Sequence, residues 1–311
     1  GNAIENGDEF VWVPVKNAVY DEANKENILA DSKTSTSMYK PMARLQGKSE
    51  TTSESNYEGI LYDYSINSET GSYVKSVKSV LGISKTNREI SLITGSETQL
   101  GWLYKSGKLY DAVAANYNKI LHFNSVKDFG TYMNNEYTEM VESVKKYGGF
   151  WIARYETTIT EDGGIHSVSG AKPYTANWYN MYYSQESGLN SKNPYYKNSD
   201  VVSTMVFGSQ WDAMLNWVLT GNDASKIFKV IGNHEGAVGT TGKYGSDYIN
   251  NIFDTSSNVR DLTQEANNNA HRVYRGGTYG MNGNTVTSER NNSEPTLITG
   301  IMGTRFTLYV K

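Results

Sequence analysis

The chain has 311 residues, 29 Lys and Arg against 33 Asp and Glu, a formal net charge of −4, and no cysteine. That balance argues against a nucleic-acid or membrane-surface partner, either of which wants a basic stripe. The empty cysteine column excludes disulfide frameworks, thiolate zinc sites, iron–sulfur clusters and every cysteine nucleophile, while 24 Tyr, 6 Trp and 8 Phe are enough to bury a sizeable core.

The chain opens Gly1-Asn2-Ala3 without an initiator methionine, which reads as a trimmed or mature product, and any signal or anchor would have been removed with the missing part. No apolar run reaches the length of a membrane span, so direct membrane insertion is not expected. The first strong element is Phe10-Val11-Trp12-Val13-Pro14-Val15, an alternating strand that Pro14 places at an edge or terminal position. Residues 20–120 are dominated by Ser, Thr, Asn, Lys and Glu, with aromatic patches at Ile60-Leu61-Tyr62, Leu100 to Tyr104 and Leu109-Tyr110. They read as an elaborated surface insertion with few regular elements.

Two helices follow. Phe129, Met133, Tyr137, Met140, Val141 and Val144 recur at helical spacing, with Ser125 and Asp128 as a cap and Gly148-Gly149 as a stop. Phe150 to Thr158 is aromatic and β-branched and reads as a central strand. Trp211, Met214, Leu215, Val218 and Leu219 mark the second helix, capped by Ser209 and Asp212 and closed by Gly221. From Asn222 to Gly303 Gly and Asn become dense and the periodicity fades. Arg305 to Val310 is a last alternating strand. The pattern predicts one α+β domain over 1–311. Its two main helices lie against a small, mostly antiparallel sheet, its N- and C-terminal strands are paired, and its C-terminal half is loop-rich.

Several spaced motifs lie in the C-terminal half. Asp254-Thr255-Ser256-Ser257-Asn258-Val259-Arg260-Asp261-Leu262-Thr263 is followed by Arg272-Val273-Tyr274-Arg275-Gly276-Gly277-Thr278-Tyr279, then Arg290, then Gly303-Thr304-Arg305. Upstream stand the Gly149 to Thr158 strand and Ser209-Gln210-Trp211-Asp212. In this order they resemble the formylglycine-generating-enzyme (sulfatase-modifying factor) fold, an elaborated C-type lectin fold. The copper enzymes of that family need two cysteines near the C-terminus, and its iron-dependent relatives use a histidine cluster. Here there is no cysteine, and His122, His166, His234 and His271 are scattered. The resemblance therefore implies a scaffold without the enzymes' metal site.

The stretch from Val273 to Arg305 resembles the variable proteins of bacterial and phage diversity-generating retroelements, in which a C-type lectin fold displays a diversified C-terminal region (here about 273–305). This implies a non-catalytic, receptor- or adhesin-like protein. Its partner would be a protein or glycan on another cell, phage or host surface, and its location the cell exterior or a phage particle. The ligand contacts expected from the resemblance are Met281, Asn282, Asn284, Glu289, Asn291, Asn292, Ser293 and Glu294, with Tyr274 and Thr278 at the edge; an ordinary solvated loop is the alternative. A formylglycine-generating-type oxidoreductase relative and a calcium-dependent lectin are the competing functions.

Arg275, Arg290 and Arg305 read either as an anion-binding trio or as buried guanidiniums that hold irregular backbone. Gly276-Gly277 reads as a positive-φ or close-packing pair. The family's structural calcium falls at Asp254, Ser257, Val259 and Asp261, where oxygen ligands are chemically reasonable. The other reading is a turn capped by Asp254 and Asp261, with no cofactor. Glu156 and Glu265 are lone acids without a catalytic partner in the pattern.

Overall fold

The computed structural model describes residues 2–5, 7–15, 118–124, 126–218, 221–223, 226–227, 229–234, 236–266, 271–281 and 286–311, and the backbone of 59–66 and 73–81. The first elements are β1 (Asn2–Glu5), β2 (Asp8–Pro14), β3 (Gly59–Ile66), β4 (Tyr73–Leu81), α1 (Val126–Tyr147), β5 (Gly149–Ala153), β6 (Thr158–Ile159) and β7 (Ile165–His166). There follow α2 (Trp178–Gln185), β8 (Val201–Met205), α3 (Gly208–Val218), β9 (Tyr248–Ile249) and β10 (Ile252–Phe253). The chain ends with β11 (Arg260–Ala266), β12 (Arg272–Arg275), a 3-10 turn (Tyr279–Met281), β13 (Arg290–Ser293), β14 (Met302–Gly303) and β15 (Phe306–Val310).

Two larger sheets organise these elements. The first is antiparallel in the order β1-β2-β5-β15-β8. The N- and C-terminal strands share this sheet but do not pair, because β5 stands between β2 and β15. Its run Phe150-Trp151-Ile152-Ala153 is apolar on both faces, which suits the centre of a sheet better than an edge. Nor is β2 an edge strand, since β1 covers its other side. Pro14 instead sits at the strand's last position, opposite Gly149, where a missing N–H disturbs the ladder least.

Period-two alternation gives this sheet two buried faces. Val11, Val13, Phe150, Ile152 and Tyr309 meet the apolar stripes of α1 and α3 in one core cluster. Phe10, Ala153, Phe306 and Leu308 meet Tyr195 and Ile165 in another. The stripe of α1 is as the spacing predicts: Phe129, Met133, Tyr137, Met140, Val141 and Val144 are all buried. Gly148, at φ +80°, ends the helix, and its N–H returns to the Val144 carbonyl at 2.8 Å. Ser125, the expected cap, lies outside the described residues.

The helix α3 buries Trp211, Met214, Leu215 and Val218 and packs against both β2 and β11, so it joins the two sheets. It begins at Gly208, and Ser209 and Asp212 therefore lie inside it rather than at its cap. Gln210 supplies the capping contact, its Oε1 accepting the Phe207 N–H at 3.0 Å. A third helix, α2, was not expected. The side chain of Asn177 caps it by accepting from Asn180 N at 2.9 Å, and Trp178 stacks on Tyr182 one turn later with centroids 4.8 Å apart.

The second sheet runs β13-β12-β11-β14, with β14 parallel to β11 and the other pairs antiparallel. The loop-rich C-terminal half thus carries a sheet of its own, whose strands are short and polar enough to hide from apolar periodicity. Within 20–120 the described backbone is an antiparallel hairpin of β3 and β4; the remainder of that expected insertion lies outside the described residues. No helix among the described residues is long and apolar enough to cross a membrane.

Candidate ligand-binding face

The second sheet is built on buried arginines. Arg275 NH2 stands 2.5 Å from Asp212 on α3, and Arg290 places Nε and NH2 on Glu265 Oε1 at 3.0 and 2.7 Å. Arg305 Nε bonds Asp261 Oδ2 at 3.0 Å, while its NH1 and NH2 reach the carbonyls of Ala153 and Phe253. All three side chains are buried, and each is matched by an acid. An anion at any of the three would have to displace that acid. Arg272, which the sequence reading left aside, is also buried, 4.0 Å over the Trp178 ring, with NH1 on the Gln264 carbonyl. Gly276 has φ +71°, and a β-carbon there would lie 2.3 Å from the Thr255 carbonyl oxygen. Gly277 is buried beside it.

A hub of acids and amides ties the loops beneath the face. Glu156 accepts from Asn258 Nδ2 at 2.6 Å and from Val259 N at 2.9 Å. Asn258 Oδ1 accepts from Gly239 N at 2.8 Å, and its carbonyl receives Tyr279 N at 3.0 Å and Thr278 Oγ1 at 3.2 Å. Nearby, Asp247 accepts from Ser256 N and Ser257 Oγ. His234 lies between two loop carbonyls, Nε2 3.0 Å from Ile231 O and Nδ1 3.3 Å from Thr278 O. Burial, and then the charges of Asp254 and Asp261, push the Glu156 carboxyl well above its ordinary range. Burial also lifts Asp254 to about 7 and Asp261 to about 6, with Arg305 opposing both.

These contacts use the residues expected to hold calcium. Asp261 is on Arg305, Asp254 Oδ2 accepts the Gly242 N–H at 2.6 Å, Ser257 donates to Asp247, and the Val259 N–H is on Glu156. The Arg305 guanidinium supplies positive charge among these acids, while Asp254 Oδ1 and Asp261 Oδ1 are buried without a hydrogen-bond partner among the described residues. No three acids or histidines among the described residues are placed to hold a metal.

The residues expected to contact ligand divide. Tyr274, Thr278, Glu289 and Ser293 are buried, at 5%, 0%, 4% and 8% exposure. This corrects the expectation that they line the face. Tyr274 packs in the core under the Arg260 guanidinium, and Thr278 is held on the Asn258 carbonyl. Asn291 and Asn292 are half-buried on β13, an edge strand, and Glu294 is exposed. Asn282 and Asn284, and the side chain of Met281, lie outside the described residues. The loop after β13 adds residues that the reading missed, above all Leu297 and Ile298, 42% and 69% exposed. It packs against the Tyr279–Met281 turn: a β-carbon on Gly300 would lie 3.5 Å from the Tyr279 hydroxyl. The missed signal is the Leu297-Ile298 pair, set between Thr296 and Thr299 in a Pro- and Gly-bounded loop where no strand or helix period buries it.

The site so defined is a polar and partly aliphatic surface on a short-stranded sheet, in an α+β protein with few helices and several antiparallel pairings. No protein-family model matches the chain, and no curated protein does. Among solved structures, Treponema denticola variable protein 1 is similar at 15% identity, a TM-score of 0.26, and 34% of this chain. The match spans 47% of that protein, about half its length. A structure of CarF is similar at 13% identity and a TM-score of 0.35, covering 52% of this chain and 87% of that one.

Proposed function

We propose that the protein is a non-catalytic ligand-binding protein, a variable protein of the retroelement-diversified kind. It would display Asn291, Asn292, Glu294 and the loop through Leu297 and Ile298 to a protein or glycan on another surface, outside the cell or on a phage particle. One observation supports this most: within a single short segment the arginines and Gly276 are buried on acids and tight backbone, while Asn291 and Asn292 are half-buried and Glu294, Leu297 and Ile298 are exposed. That division lets the outer residues change without unsettling the scaffold. Asn supplies adaptable hydrogen bonds and the two aliphatic side chains supply apolar anchors, a combination suited to an interface of roughly 800 Å² per partner.

Sequencing the gene and its surroundings across a population of its source tests this reading. The expected result is a reverse-transcriptase gene beside a near-copy of the Val273–Arg305 coding stretch, with variation confined to adenines in codons for outward positions. Variation spread evenly over the Arg275, Arg290 and Arg305 codons, or the absence of both neighbours, overturns it.

A further inference from the structure

The buried arginines of the second sheet differ in what they hold. Arg275, Arg290 and Arg305 each lie on an acid, and Arg272 reaches the Gln264 carbonyl. Arg260 is also buried, at 7% exposure, yet no acid, carbonyl or hydroxyl among the described residues accepts from its guanidinium. Its Nε is enclosed without a partner, whereas the two terminal nitrogens are not sealed in with it. The tip of the guanidinium is thus the part that reaches the surface.

A ring holds it in place. The guanidinium carbon stands 4.5 Å from the centroid of Tyr274, on the neighbouring strand β12. Stacking occupies the flat face of the group and leaves the N–H donors, which lie in its plane, unspent. Arg260 opens β11 opposite Met302 of β14, and its backbone N–H is on the Ile301 carbonyl at 2.9 Å. The residue therefore sits at the root of the loop that exposes Leu297 and Ile298.

The acids of this sheet are turned elsewhere. Asp261, the next residue, points to the opposite face and is on Arg305, and Glu265 is on Arg290. Glu294 follows Ser293, which pairs with Arg272, and so stands at the His271 end of the strands, away from Arg260. A buried cation without a counter-charge is unfavourable by itself, and an anion arriving from outside would complete it.

We propose that Arg260 anchors a carboxylate of the ligand, and that the ligand is a protein segment in which an Asp or Glu stands beside an apolar side chain. The two terminal nitrogens take the carboxylate end-on, as a fork, and Leu297 and Ile298 take the apolar neighbour. That aliphatic pair offers an amino-acid side chain apolar burial and offers little to a sugar ring rimmed with hydroxyls. The assignment rests on the reading of this face as a ligand-binding surface, to which it adds the class of ligand.

Titration of the whole chain with acetyl-Leu-Glu-amide and with its neutral analogue acetyl-Leu-Gln-amide, followed by NMR, tests this. The Glu peptide is expected to saturate one site, with the Gln peptide at least about tenfold weaker. Arg260→Met keeps the apolar stem and abolishes the difference between the two, whereas Ile298→Ser weakens both alike. Lys192→Ala, at an exposed cation beside the β6–β7 turn, changes neither. Because Arg260→Met removes a charge that has no counter-charge, it is expected to melt no lower than the parent chain. Arg260→Lys, which keeps the charge and loses the fork, should weaken the Glu peptide alone. No saturation by the Glu peptide up to about 10 mM, equal affinity for the two peptides, a preference that survives Arg260→Met, or tighter binding of glucuronate than of the Glu peptide overturns the proposal. Population sequencing reads diversification and not Arg260, so the two readings can fail separately.

Discussion

The buried carboxylate of Glu156 holds the side-chain amide of Asn258, 2.6 Å away and 102 residues later in the chain. This contact joins the segment following the central strand β5 to the loops that carry Tyr279. Asn258 sits at φ +59°, a left-handed backbone that Asn tolerates better than most residues. It serves three loops at once, through Glu156, Gly239 N and Tyr279 N.

Asn258→Ala should therefore destabilise by about 2–4 kcal/mol, because it strips a buried acid of a donor and leaves alanine at positive φ. Asn258→Gly removes the backbone strain and should recover about 1 kcal/mol of that loss. Urea unfolding measures both. Equal stabilities for the two variants would show that the backbone conformation contributes nothing here.

Asp254 and Asp261, raised by burial to about 7 and about 6, give stability an unusual pH dependence. A carboxyl whose folded pKa lies above its unfolded value binds more protons in the folded state, so stability falls as pH rises through that window. The midpoint of unfolding should drop between about pH 4 and pH 7, from the ordinary carboxyl value of 3.8 up to the two folded values. Asp254→Asn keeps an oxygen to accept from Gly242 N and removes the titration. It should flatten the curve and add about 1–3 kcal/mol at the alkaline end. A midpoint that climbs with pH over this window would contradict the assignment.

The buried pair Glu136 and Glu186 adds to the same slope. Both are pushed up by burial, and Glu186 further by the charge of Glu136. Glu186 Oε1 accepts Met205 N at 2.9 Å, an acceptor that glutamine retains. Glu186→Gln should thus stabilise at pH 8 by about 1–3 kcal/mol and be nearly neutral at pH 5. Thermal melts at the two pH values measure the difference.

The long-period features were legible in the sequence and the polar ones were not. The stripe from Phe129 to Val144 and the run Trp211 to Val218 announce helices because apolar burial dictates their spacing. The aromatic run at Phe150 announces a central strand for the same reason. Asn177 to Gln185 escaped because its Trp and Tyr residues pack by stacking over barely two turns, too short for a period to emerge. On the face, the sequence left the arginines open between an anion site and buried guanidiniums, and it did not show Glu289 and Ser293 as buried. On a short polar strand and its flanking turn nothing local fixes which way a polar side chain turns; packing against residues distant in sequence decides it.

Arg290 and Glu265 should behave as a unit. Arg290→Ala leaves a buried carboxylate without its cation and should destabilise by about 3–5 kcal/mol. Arg290→Met combined with Glu265→Leu removes both charges and should recover most of the loss, giving a coupling energy of about 2 kcal/mol or more in a double-mutant cycle. Additive effects would mean that the pair does not hold β13 to α3's end of the sheet.

Outward positions should respond in the opposite way. Ser or Ala at Asn291, Asn292 or Ile298 replaces a half-buried or exposed side chain, and the Asn291 Oδ1 contact with Asn292 N stays within the face. Each should change stability by no more than about 0.5 kcal/mol. Gly276→Ala, only 15 residues before Asn291, forces a β-carbon against the Thr255 carbonyl at positive φ and should destabilise by more than about 2 kcal/mol. A saturation library over both groups, sorted for folded protein, reads the contrast directly. If Asn291 and Asn292 proved as intolerant as Gly276, the surface would be part of the scaffold, and a diversified face could not be built there.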